Sequence, residues 1–106
     1  MRIIRMETFM RRLLGAMYFS VGDNEVMLFR PGGSIHTFFM RMAIDVAFLN
    51  KDGEVLAVHE NVVPWRILLC PRGTKITLEG RAFTFRKHSL IKGCCLDFNE
   101  GNLTFV

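Results

Sequence analysis

With 106 residues, the chain can bury one hydrophobic core but not two, so a single domain over residues 1–106 is expected. Half of the residues are hydrophobic, 23% are charged and three are proline, which excludes a disordered chain. The formal net charge of +4 makes it a basic protein, and no apolar run reaches the roughly 18 residues of a membrane span.

The charge is unevenly spread. Residues 42–60 set Asp45, Asp52, Glu54 and Glu60 against Lys51 alone. Residues 61–93 set Arg66, Arg72, Lys75, Arg81, Arg86, Lys87 and Lys92 against Glu79 alone. A basic stretch of this kind is either a solvated face or a surface for an anionic partner. No N-terminal apolar segment with a small-residue cleavage site appears, so a cytoplasmic chain is expected. Three cysteines, two of them adjacent, make a poor disulfide framework. No Cys/His spacing fits a zinc site, and no phosphate-binding glycine loop is present, so neither metal nor cofactor is expected.

In chain order, Met6, Phe9, Met10, Leu13, Leu14 and Met17 recur at helical spacing. Arg5, Arg11 and Arg12 fall mostly on the opposite side, and Gly15 is placed to end this helix. Gly22-Asp23-Asn24 is a turn cluster, and EVMLF after it reads as a strand ended by RPGG. Ile35 to Met40 reads as one strand and Ile44 to Leu49 as another. Asn50-Lys51-Asp52-Gly53 is a hairpin turn, and EVLAVHE returns as the partner strand. Pro64 breaks the next segment. RILLC and TKITLE follow as strands joined by PRG, and RAFTFRKHS fits helix or strand. KGCCLDF and LTFV close the pattern as strands around NEGN. The expected fold is mainly β, a compact small barrel or sandwich of short strands with one or two short helices. A parallel α/β fold would need crossover helices for which the middle of the chain has no room.

Ionisable residues inside apolar runs mark the candidate site. Asp45 sits among Ile44, Val46, Ala47, Phe48 and Leu49, so it is expected to be buried. A buried carboxylate needs donors. Arg41, His36, Arg66, Arg12 or the backbone N–H groups of a nearby loop could supply them. The plain reading of Asp45 is an acid that pins a turn or a strand end, and the functional reading is a general base or a ligand-orienting acid. His36 and Arg41 fall on opposite faces of a strand unless Met42-Ala43 bends it. Pro64-Trp65-Arg66 joins a flat aromatic surface to a planar donor fork, the residue types of binding hot spots. The serines have no acid–base partner nearby in sequence, and the seven methionines sit at core spacings.

Taken in order, these segments resemble the domain-of-unknown-function family number 192, small bacterial and archaeal proteins. The matching stretches are RLLGAM (Arg12, Gly15, Met17), MLF (27–29), HTFFM (36–40), IDVAFLNKDG (44–53), VPWR (63–66), ITLE (76–79) and KGC (92–94). They span residues 12 to about 98. Ala16, Ala43 and Cys94 depart from the Leu, Pro and acid that the family pattern favours, and Phe83 and Ser89 stand where it favours glycine. The resemblance implies a compact, mainly β fold and no particular activity. It also places Arg12, His36 and Asp45 on motif positions, where they could form one polar cluster.

Three functional readings follow. The first is a non-enzymatic binding module for a small anion or a protein partner, acting through Arg12, Arg41, Trp65 and Arg66. The second is an enzyme using Asp45 and His36 as an acid–base pair. The third is weak nucleic-acid binding through residues 81–87, which needs Phe83 and Phe85 exposed for stacking; a packed core is the better expectation for both rings, and hence no specific nucleic-acid binding.

Overall fold

The computed structural model describes residues 1–6, 22–99 and 101–106. Nearly all of the helix expected over Met6–Met17, and Arg12 with it, lies outside the described residues.

Among the described residues, nine strands and one short helix follow in order: β1 Arg2–Arg5, β2 Glu25–Phe29, β3 Ile35–His36, β4 Ile44–Leu49, β5 Val55–Val62, β6 Ile67–Leu68, β7 Ile76–Arg81, α1 Thr84–Lys87, β8 Leu96–Asn99 and β9 Asn102–Phe105. Seven strands form one mixed sheet in the order β5-β4-β7-β2-β1-β9-β8, and β3 pairs with β6 in a small second sheet. All ladders are antiparallel except β1 on β2.

The branched and aromatic run Ile44–Leu49 forms β4, as its composition predicts. It is buried on both faces. Ala47 and Leu49 join Val26, Leu28, Ile76 and Leu78 on one side, covered by Phe85 and Leu90. Ile44, Val46 and Phe48 lie on the other, packed by Ile35 and Leu68 of the small sheet. The turn at Asn50–Gly53 forms with Gly53 at φ 86°, and the Asn50 side chain accepts hydrogen bonds from Asp52 N and Glu54 N at 3.0 and 2.9 Å.

The long sheet curls until its edges meet at one bridge, Glu54 with Cys95. It does not close into a barrel, because no further pairing joins β5 to β8 among the described residues. The mainly β expectation therefore holds, as a curled sheet with a small sheet packed on it.

Three local expectations are corrected. Ile35 to Met40 is not one strand: β3 stops at His36, because Thr37 turns its bonding groups onto residues 63–66. RILLC pairs only over Ile67–Leu68. Arg5, assigned to a helical face, belongs to β1, a strand whose four-residue RIIR pattern is too short to show a period.

RAFTFRKHS resolves into α1. Phe83 at φ 67° leads into the helix and Ser89 at φ 59° follows it. These are the two positions where the family pattern favours glycine, and the left-handed backbone explains the preference.

Candidate functional site

Thr37 is fully buried and ties two turns together. Its N–H donates to Arg66 O at 2.8 Å, and its carbonyl accepts from Trp65 N at 3.0 Å. Its hydroxyl donates to Val63 O at 2.8 Å and accepts from Arg66 N at 2.9 Å. Phe39 at φ 65° and Trp65 at φ 68° ride on these two turns. Such a conformation costs a non-glycine residue about 1–2 kcal/mol and persists only where the surroundings fix it. Here it lifts both rings off the body, leaving Phe39 64% and Trp65 57% exposed.

The rings form a row. His36 lies 4.8 Å from Phe38, Phe38 stacks 5.6 Å from Trp65, and Phe39 meets Trp65 edge-on at 4.7 Å between centroids. Met42, Val63, Ile67 and Leu69, close to these residues along the chain, are also exposed, Leu69 at 79%. Arg41 and Arg66 are exposed beside it, and neither has an ion pair among the described residues. Cys70, next to Leu69, donates its N–H to the Ser34 hydroxyl oxygen at 2.8 Å. Hydrogen bonding from the Ser34 side chain holds its thiol below the usual value, against the opposing effect of partial burial.

Asp45 occupies a different site. It is fully buried, and its acceptors go to backbone donors. Oδ1 accepts from Asn61 N and Phe83 N, both at 2.9 Å, and Oδ2 accepts from Phe85 N at 3.0 Å. The carboxylate thus caps α1 from another strand and fixes the end of β5, so the loop-backbone expectation is met. His36 is exposed, with Nδ1 accepting from Phe38 N at 3.2 Å. The structure brings His36 together with Trp65 and Arg66, and does not bring Asp45 to His36.

The basic segment is dispersed. Arg81 pairs with Asp23 at 3.4 Å and Arg86 with Glu60 at 2.8 Å. Phe85 is in the core as expected, whereas Phe83 is 53% exposed and corrects that expectation.

Sequence reasoning missed three contributors. Phe38 and Phe39 lie 26 or more positions before Trp65, and the Thr37 knot and the β3–β6 pairing bring them together. Glu79 is the third. It is buried between Val46 and Met27 on the central strand β7. Among the described residues no donor reaches its carboxylate, and desolvation raises its pKa to about 7. Thr77 and Glu79 alternate with Ile76 and Leu78, which reads as a solvated face, but the sheet is covered on both sides.

The family model described as "Uncharacterized ACR", domain of unknown function 192, matches residues 1–98. The chain belongs to this family. A UPF0127 protein of Pyrococcus furiosus is 33% identical over 100 residues, covering 89% of this chain and 84% of its own. A UPF0127 protein of Pyrococcus abyssi is 32% identical over 78 residues, 70% of this chain and 66% of its own. Among solved structures, a protein of unknown function from Novosphingobium aromaticivorans superposes with a TM-score of 0.74 at 21% identity, covering 86% of this chain and 70% of its own. A proposed transcription regulator of Sinorhizobium meliloti gives a TM-score of 0.76 at 21% identity, with 97% and 80% covered. At that identity the two structures show a shared fold and nothing beyond it. Among the described residues no helix is long and apolar enough to cross a membrane, and no group of three or more His, Cys, Asp or Glu is placed to hold a metal ion.

Proposed function

We propose that the chain is a binding module and that its contact surface is the ridge of His36, Phe38, Phe39 and Trp65. The partner is a protein segment that presents apolar and acidic side chains together. One observation carries this: a buried threonine holds two aromatic residues in strained backbone conformations with their rings outward. Rigid aromatic anchors rimmed by arginine are the residue types that dominate protein interfaces. Arg41 and Arg66, which have no ion pair among the described residues, favour a partner with carboxylates at its rim. A small anion alone fits less well, because the exposed rings of the ridge are mostly apolar.

Trp65 is the single tryptophan, so its emission reports this surface directly. A displayed library of random peptides, panned on the protein and depleted on Trp65→Ala, should enrich sequences with Asp or Glu flanking apolar residues. Those peptides should blue-shift Trp65 emission. Enrichment of basic peptides, or of none, overturns the reading. A shift produced by phosphate or citrate alone would transfer the site to a small anion.

For nucleic acid we propose only non-specific binding, no tighter than about 10⁻⁶ M near physiological salt. An anisotropy titration showing nanomolar, sequence-selective binding would reverse this. We also propose a cytoplasmic setting, which the three free cysteines support.

A further inference from the structure

Among the described residues the seven-stranded sheet ends at β5, which has only β4 paired along it. Leu49 turns its carbonyl toward β7, where it accepts from Lys75 N at 2.8 Å. By the alternation of antiparallel pairing, Phe48 and Val46 then turn their groups toward β5, opposite Ala57 and His59. Val58, between those two, therefore turns its N–H and C=O outward.

Val55 does the same, and there the outward groups are already used. Val55 N donates to Cys94 O at 2.9 Å, and Gly93 N donates to Val55 O at 2.8 Å. Residues 93–94 thus begin an outer strand that goes no further. Beyond them an open groove of about 400 Å³ runs along the edge. Leu56, Val58 and Glu60 line one side, and Leu90, Ile91 and Lys92 the other. Arg86 clasps Glu60 at 2.8 Å, while Lys92 has no ion pair among the described residues.

We infer that this groove takes an extended acidic peptide segment of a partner protein, added as a strand on Val58. Its backbone continues the interrupted outer strand. An apolar side chain lies on Leu90 and Ile91, and a carboxylate meets Lys92. Strand addition draws affinity from backbone groups and specificity from alternate side chains, and the groove offers both. An unpaired edge is otherwise blunted by charge or cover, and among the described residues no strand pairs with the outward groups of Val58. This site is separate from the aromatic ridge and does not depend on it.

The probe is an acetylated, amidated heptapeptide, Thr-Glu-Thr-Leu-Thr-Glu-Thr, followed by amide NMR of the labelled protein. At millimolar peptide, shifts and slowed amide exchange are expected at Val58 and Ile91 and not at Trp65. Two singly N-methylated peptides, blocked at Leu or at the preceding Thr, separate strand addition from simple adhesion. One must lose binding and the other keep it, because alternate amides face the host strand. Val58→Pro removes only the outward N–H, which an edge strand tolerates, and should weaken binding roughly tenfold or more. Ile91→Asp should do the same without touching the backbone. No shifts at millimolar peptide, equal binding by both methylated peptides, or equal binding of a peptide with Lys in place of Glu overturns the inference.

Discussion

Two buried carboxylates stand one register step apart in the same sheet, and their surroundings are opposite. Asp45 on β4 lies across from Gly80, and Glu79 on β7 lies across from Val46. Asp45 points toward α1 and gathers three backbone N–H groups. Glu79 points to the other face, between Val46 and Met27, and meets no donor among the described residues. Burial is nearly equal, at 0% and 4% exposed. The donors decide the chemistry: Asp45 serves as a hydrogen-bond acceptor that organises a loop, while Glu79 is held in a place that favours its neutral form.

The largest test of that contrast concerns Glu79. Its carboxyl gives up a proton at about 7 in the folded chain, against 4.5 when free. Between those values the folded state keeps a proton that the unfolded chain has released. The stability due to this group is highest below 4.5, falls as pH rises through about 7, and stays low above it. The span is roughly 3 kcal/mol. Glu79→Gln cannot titrate, so its stability relative to the parent should rise by that amount across the window, read from urea curves at successive pH. A difference that stays constant with pH would remove the contrast.

Asp45→Ala should destabilise by about 2 kcal/mol, because it strands buried backbone donors at once. Asp45→Asn keeps one acceptor oxygen and should fall between. Denaturation curves that overlay the parent would show that the donors find water instead.

Thr37→Val conserves shape and deletes the hydroxyl, leaving Val63 O and Arg66 N unmatched. A loss of about 1 kcal/mol is expected, with a weakened near-ultraviolet signal from Trp65 as the ridge loosens. An unchanged aromatic signal would mean that the rings hold themselves.

The smallest effect has the opposite sign. Ser89→Gly relieves a left-handed serine and should stabilise by about 0.5 kcal/mol, the relief being partly offset by the entropy of glycine. Phe83→Gly should act similarly while keeping the N–H that Asp45 accepts. A destabilised Phe83→Gly would show that the exposed ring packs more than its position implies.

Much of this was legible in the sequence where one physical preference acts alone. The run Ile44–Leu49 has no rival to a strand, and Asn50–Gly53 has no rival to a turn. The apolar neighbours of Asp45 required burial, and burial required donors. Legibility ended where distant segments decide local geometry. HTFFM reads as a strand by composition, yet Thr37 bonds to a loop 26 residues on, and the chain turns. RIIR becomes a strand only because β2 and β9 flank it. Glu79 sits where alternation promises solvent, and only the cover on both faces of β7 contradicts it.

The place of β1 in the sheet bears on how the chain is made. Arg2–Arg5 lies between β2 and β9, with Ile3 N donating to Gly101 O and Leu103 N to Met1 O, both at 2.8 Å. The residues of β1 are therefore made long before their partners in β9. Among the described residues the β8–β9 hairpin joins the sheet through β1 and one bridge to Glu54, so the sheet cannot be completed before β9 is made. Until residue 102 emerges, the outer edge of β1 stays open. A nascent chain stalled before that point should remain sensitive to protease at β1, and should become resistant there in one step once β9 clears the tunnel.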